Sequence, residues 1–108
     1  MARQPVERVI HEYVELLKQH NVRVEQAVLF GSHALGIADD DSDIDVAIIS
    51  PDLGRNRFSE GVMLKLLTQY VDTSLSPRPY SPQEVEGSTK GAFLHDEIVC
   101  KGRVVYGE

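Results

Sequence analysis

Two aspartates, Asp43 and Asp45, are the residues of this chain best suited to chemistry. Ile44 stands between them and the apolar run Val46 to Ile49 follows, so the pair lies at the start of a buried strand. Side chains alternate across a strand, so residues i and i+2 share a face, with Cα atoms about 6.5–7 Å apart. Ile44 and Val46 then face the core while both carboxylates face the other way. Two carboxylates held side by side repel unless something positive sits between them. Mg²⁺ meets that need, because it takes oxygen ligands and is usually held by one or two carboxylates plus substrate phosphates.

A second apolar run, Ala27-Val28-Leu29-Phe30, leads into a corner at Gly31-Ser32. Gly31 takes backbone angles closed to other residues and lets a ligand approach the main chain. Ser32 is a good helix N-cap, with Ala34 and Leu35 as the first turn behind it. The free N–H groups at a helix start suit phosphate. One side of the site is thus fitted for a triphosphate and the other for metal. Asp39, Asp40 and Asp41 read as a solvated acidic turn. A calcium loop starting at Asp39 is rejected, since it needs Gly where Ile44 stands and Glu where Ser50 stands.

The elements that position these residues follow from periodicity. Residues 5 to 20 read as an amphipathic helix, with Pro5 at its first position and a stripe of Val6, Val9, Ile10, Tyr13, Val14, Leu16 and Leu17. His11 and His20 lie off the centre of that stripe and read as surface residues. Val22 to Phe30 reads as the first strand, Ser32 to Ile37 as a short helix or turn, and Ile44 to Ser50 as the second strand, stopped by Pro51. A polar loop follows, in which Arg55 and Arg57 are read as solvated rather than as phosphate ligands; His33 is likewise read as exposed. Ser59 is expected to cap the next helix, with Met63, Leu66, Leu67 and Tyr70 buried. Val71 to Leu75 is expected to be a third strand, with Asp72 on the face opposite Val71 and Thr73. Ser76 to Tyr80 reads as a stiff extended segment fixed by Pro77 and Pro79. Ser81-Pro82-Gln83-Glu84 is a capping box that starts a short helix ended by Gly87. Thr89 to Cys100 reads as a last helix with Phe93, Leu94, Ile98 and Val99 mostly inward, and Arg103 to Tyr106 as a small edge strand.

The chain has 108 residues and is expected to form one domain, 1–108. A formal net charge of −6 argues against non-specific nucleic-acid binding, which needs a basic surface. Cys100 is the only cysteine, the N-terminus lacks the apolar core of a signal peptide, and no apolar run is long enough to span a membrane. A cytoplasmic protein is expected.

The Gly31-Ser32 pair, ten residues, then Asp43-Ile44-Asp45 resembles the signature of the nucleotidyltransferase superfamily that includes DNA polymerase β. The fuller string, Gly-Ser-x-Ala-x-Gly-x-Ala-x-x-x-Ser-Asp-Ile-Asp, is similar to that of its smallest members, the minimal nucleotidyltransferases, as is the order of elements across nearly the whole chain. The resemblance implies an α/β (α+β) nucleotidyltransferase fold, a small mixed β-sheet with helices packed on it. It implies Asp43, Asp45 and Asp72 as catalytic residues and ligands of two Mg²⁺ ions, with Gly31 and Ser32 binding the nucleotide. Asp72 takes the place of a third carboxylate on a neighbouring strand; Asp52 is the competitor for it. The implied reaction is in-line transfer of AMP from ATP to a hydroxyl, with pyrophosphate leaving. In the minimal group the acceptor is often a tyrosine of a helical HEPN toxin, for which the nucleotidyltransferase is the antitoxin. The alternatives are transfer to a small molecule such as an aminoglycoside, and a non-catalytic antitoxin that neutralises its partner by contact.

Overall fold

The two apolar runs that flank the aspartate pair become the central strands of a four-stranded sheet, in a computed structural model that describes residues 5–107. Strand β1 is Gln26–Phe30 and β2 is Ile44–Ile49; they are antiparallel, with Phe30 opposite Asp45 and Leu29 opposite Val46. Strand β3, Leu75–Tyr80, runs parallel to β2 on its outer side, and β4, Arg103–Tyr106, is antiparallel to β1 on the other edge. The order is β3-β2-β1-β4, a mixed sheet, as the sequence leads one to expect.

Alternation divides the side chains of these strands between two faces. Ala27, Leu29, Ile44, Val46, Ile48 and Leu75 point to one side, where they pack on helix α1, Val6–Gln19, and helix α3, Arg57–Leu67. The contributing residues of α1 are Val9, Ile10, Tyr13, Val14 and Leu17, which is the stripe that helical spacing picks out. Leu64 of α3 is fully buried against them, and the hydroxyl of buried Tyr13 donates to its carbonyl at 2.6 Å, tying the two helices together. The other face carries Val28, Phe30, Ala47, Ile49 and Tyr80, covered by Ile98 and by the partly buried Val85 and Leu94. Helix α2 is the single turn Ser32–Leu35, and α4 is Pro82–Glu86, with Ser81 and Glu84 forming the expected capping box. Among the described residues, no helix is long and apolar enough to cross a membrane.

Several elements differ from the sequence reading. The first strand starts at Gln26 rather than Val22, because the Arg23 N–H is taken by the Asp52 carboxylate at 2.9 Å instead of a neighbouring strand. The cap of α3 is Asn56, whose side-chain oxygen accepts the N–H of Ser59, while Glu60 reaches back to the N–H groups of Gly54 and Arg55. The buried stripe differs too. Leu64 goes in, Met63 and Leu67 are half-buried, and Leu66 and Tyr70 are exposed.

The third strand is not Val71 to Leu75. Val71 to Ser74 lie in a turn, and the strand is Leu75 with the extended proline segment after it, which pairs with β2. The carbonyls of Ser74 and Tyr80 accept from Ile44 and Ser50, so alternation turns the main-chain polar groups of Ser76 and Arg78 toward β2 as well. Pro77 and Pro79 then occupy the positions whose missing N–H would point away from the sheet. The last helix is shorter than expected, Leu94–Cys100, and has the wide π geometry. Gly91, at φ 96°, precludes an earlier start, and Asp96 caps its N–H. Ile98 is buried, but Val99 is exposed.

The Tyr13–Leu64 bond carries a direct expectation. Tyr13→Phe keeps the ring and removes the donor, so the chain should lose about 1 kcal/mol of stability, read as a lower midpoint at unchanged slope in urea unfolding.

Candidate active site

The site stands at one end of the sheet, where β1 ends and β2 and β3 begin. Asp43 lies just before β2, exposed; Asp45 lies within it, half-buried, on the face shared with Phe30 and Ala47. Ile44 and Val46 are buried on the opposite face, as alternation requires. The proximity of the two carboxylates is visible in their electrostatics. Burial pushes the Asp45 carboxyl above its ordinary range, the charge of Asp43 pushes it further, and Arg78 and His33 pull it back. A half-buried carboxylate raised first by burial and then by a like charge is stabilised by any cation brought to it.

Gly31 makes the closeness possible. It has φ 73° and ψ −151°, a conformation in effect open only to glycine, and it is the N-cap of α2. A Cβ built there would lie well inside van der Waals contact distance of the Asp45 Oδ2 atom. The main chain at the corner and the Asp45 carboxylate are therefore close, with no side chain between them. Ser32 is the first residue inside α2, not its cap, and no side chain caps that turn. Its first N–H groups consequently have no acceptor within the helix. The ring of His33 is half-buried, with Nε2 3.5 Å from the Ser42 carbonyl, rather than fully exposed as expected. Asp39 and Ser42 close a tight turn through the Asp39 carboxylate, which accepts the Asp41 N–H and the Ser42 hydroxyl. The acidic turn is thus built as the sequence reading has it.

The remaining expected residues lie elsewhere. Asp72 is in the turn before β3, and its Oδ1 accepts both the N–H (2.8 Å) and the hydroxyl (2.5 Å) of Ser74. The face argument that placed it beside Asp45 fails, because the strand begins only at Leu75. Among the described residues, no three His, Cys, Asp or Glu side chains are grouped to hold a metal ion. Asp52 is engaged by Arg23, whose guanidinium lies 2.7 Å away and holds the carboxyl down to about 2. Arg57 pairs with Glu84 and lies over the Tyr80 ring, so it is not directed at the site.

One charged group at the site was not singled out by the sequence reading. Arg78, on β3, shares the face of Asp45, and its guanidinium lies over the ring of Phe93 at 4.7 Å and that of Phe30 at 6.0 Å. Phe30 and Phe93 meet edge to face. The signal was present as alternation through Ser76, Arg78 and Tyr80, but two prolines masked it.

The chain belongs to the polymerase β nucleotidyltransferase family: the family described as Polymerase beta, Nucleotidyltransferase matches residues 12–108. Solved structures share the fold. A toxin–antitoxin structure with AMP-PNP aligns at TM-score 0.65 and 22% identity, covering 94% of this chain and 73% of that one. A tri-AMPylated Shewanella oneidensis HEPN toxin in complex with MNT antitoxin aligns at 0.61 and 18%, covering 96% and 74%. A candidate nucleotidyltransferase from Sulfolobus solfataricus aligns at 0.63 and 14%, covering 100% and 93%. At these identities the likeness is one of fold. No curated protein matches the chain.

Two expectations follow from the geometry. Gly31→Ala must abandon its backbone conformation or displace the Asp45 carboxylate, so it should lose about 1–3 kcal/mol of stability and most Mg²⁺-dependent nucleotide binding, checked by thermal unfolding and calorimetric titration. For Asp45, a raised carboxyl means the folded chain keeps the proton longer than the unfolded chain, so its ionisation removes stability as pH rises through the folded value. Metal-free Asp45→Asn should therefore melt higher than the parent at pH 7, and the two should converge below the ordinary aspartate pKa of about 3.9.

Proposed function

We propose that this chain transfers AMP from ATP to a protein hydroxyl, a tyrosine of a HEPN-type toxin, and so acts as a cytoplasmic antitoxin. The observation that carries the reading is the closeness of the Gly31 corner to the Asp45 carboxylate, itself beside Asp43: main chain suited to phosphate abuts carboxylates suited to a cation. Family membership supports the transferase, and the fold shared with an MNT antitoxin in complex with an AMPylated HEPN toxin supports the partner and the group transferred.

In this reading Asp43 and Asp45 hold Mg²⁺ together with the triphosphate. Mg²⁺, when bound, offsets phosphate charge and polarises the α-phosphate. The N–H groups at the start of α2, beginning at Ser32, hold the outer phosphates, and Gly31 leaves them room. Arg78 adds positive charge on the same face. The acceptor oxygen bonds to the α-phosphorus, the bond to the bridging oxygen breaks, and pyrophosphate leaves with that electron pair. The hydroxyl proton passes to solvent. A second reading, a non-catalytic antitoxin that binds nucleotide and partner, draws support from the face of β3, which presents Ser76 and Arg78 in place of a carboxylate.

The test is a labelling reaction in lysate of the source cell, with Mg²⁺ and ATP labelled at either the α- or the γ-phosphate. A protein band labelled only from the α position, and absent with Asp43→Asn/Asp45→Asn, is the expected result. Label from the γ position, or a band that survives the double substitution, refutes the reading. No band, with Mg²⁺–ATP binding intact, points to the binding antitoxin.

A further inference from the structure

In-line transfer to a hydroxyl draws on two positions: one where the triphosphate is held, and one where the attacking oxygen is steadied and loses its proton. The Asp43–Asp45 pair supplies the first. The second calls for an anionic ligand beside Asp45 on the same face, and the sheet allows only two neighbours there. On β1 the residue opposite Asp45 is Phe30. On β3 it is Ser76, and the next residue on that face is Arg78. Neither strand offers a carboxylate.

The acidic side chains nearby do not fill the gap. Asp72 is turned onto Ser74, and that turn is itself fastened to β2 by the Ile44 N–H bonded to the Ser74 carbonyl at 2.8 Å. Asp39 closes its own turn, and Asp52 is bound to Arg23. A serine hydroxyl is neutral, so it brings no charge to offset a second Mg²⁺ and no base for the acceptor's proton, whereas two carboxylates plus phosphate oxygens suffice for one ion.

We infer that this site holds a single divalent cation with its nucleotide, and that Ser76 occupies the sheet position from which a third carboxylate would complete a two-ion centre. The inference rests on the nucleotidyltransferase reading and narrows it. The chain is equipped to hold a metal–nucleotide complex and lacks a residue of its own to activate the acceptor. Placing a carboxylate at position 76 supplies the missing ligand.

The experiment counts ions rather than turnover. The full chain is saturated with a non-hydrolysable ATP analogue and titrated with Mn²⁺, free Mn²⁺ being read by electron spin resonance. The expected result is one Mn²⁺ per chain–analogue complex for the parent and for Asp72→Asn, and two for Ser76→Asp. Ser76→Glu is the second variant, should the shorter side chain fail to reach, and circular dichroism confirms that each variant is folded. Two ions on the parent, falling to one in Asp72→Asn, would overturn the inference and make Asp72 the third ligand. One ion on both folded Ser76 variants would also overturn it. Neither Mn²⁺ nor analogue bound to the parent would instead sink the nucleotidyltransferase reading beneath it.

Discussion

Everything at the working end of this molecule depends on holding two negative charges together at the mouth of a strand. Asp45 is half-buried beside Asp43, and Arg78 and His33 partly offset the charge at Asp45. The arrangement holds because Ile44, Val46 and Ile48 are locked into the core on the other face. A slip of one residue would bury the carboxylates and expose three large apolar side chains, so the register of β2 is strongly fixed. Gly31 completes the constraint by removing the one atom that would separate the backbone corner from Asp45. Stability is given up here for a site that calls for a ligand.

The parts of the fold that were legible in the sequence are those where local pattern and tertiary role agree. The stripe of α1, the apolar runs of β1 and β2 and the capping box of α4 each carry one dominant signal, and each forms as read. The Gly-Ser corner departs from its reading in one respect, since Gly31 rather than Ser32 is the cap of α2. Where two signals competed, the local one misled. Pro77 and Pro79 argue against a strand, yet on an outer edge their missing donors cost nothing, and the true β3 was hidden behind them. Val71 to Leu75 alternates well but is bent by the Asp72 side chain bonding Ser74. Helix α3 carries apolar residues on more than one side, so its period did not reveal which face goes in; packing on the sheet and α1 selects Leu64.

The misplacement of β3 by a few residues had a chemical cost. It moved attention from Ser76 and Arg78 to Asp72, and so from a hydroxyl and a cation to a carboxylate. Strand register is a statement about which functional groups meet, and an error that is minor for the outline of the fold changes the composition of the site. Family membership fixes the scaffold and the general chemistry. It does not fix what stands opposite Asp45.

The two prolines of β3 have a consequence that reaches beyond the monomer. Their rings sit where an incoming strand would look for donors, so the ladder ends at that border. A companion chain cannot extend the sheet across that border, and contact made there is by side-chain shape and charge. Such contacts saturate, whereas templated backbone pairing propagates from copy to copy. The border that misled the sequence reading is thus also a guard against runaway polymerisation.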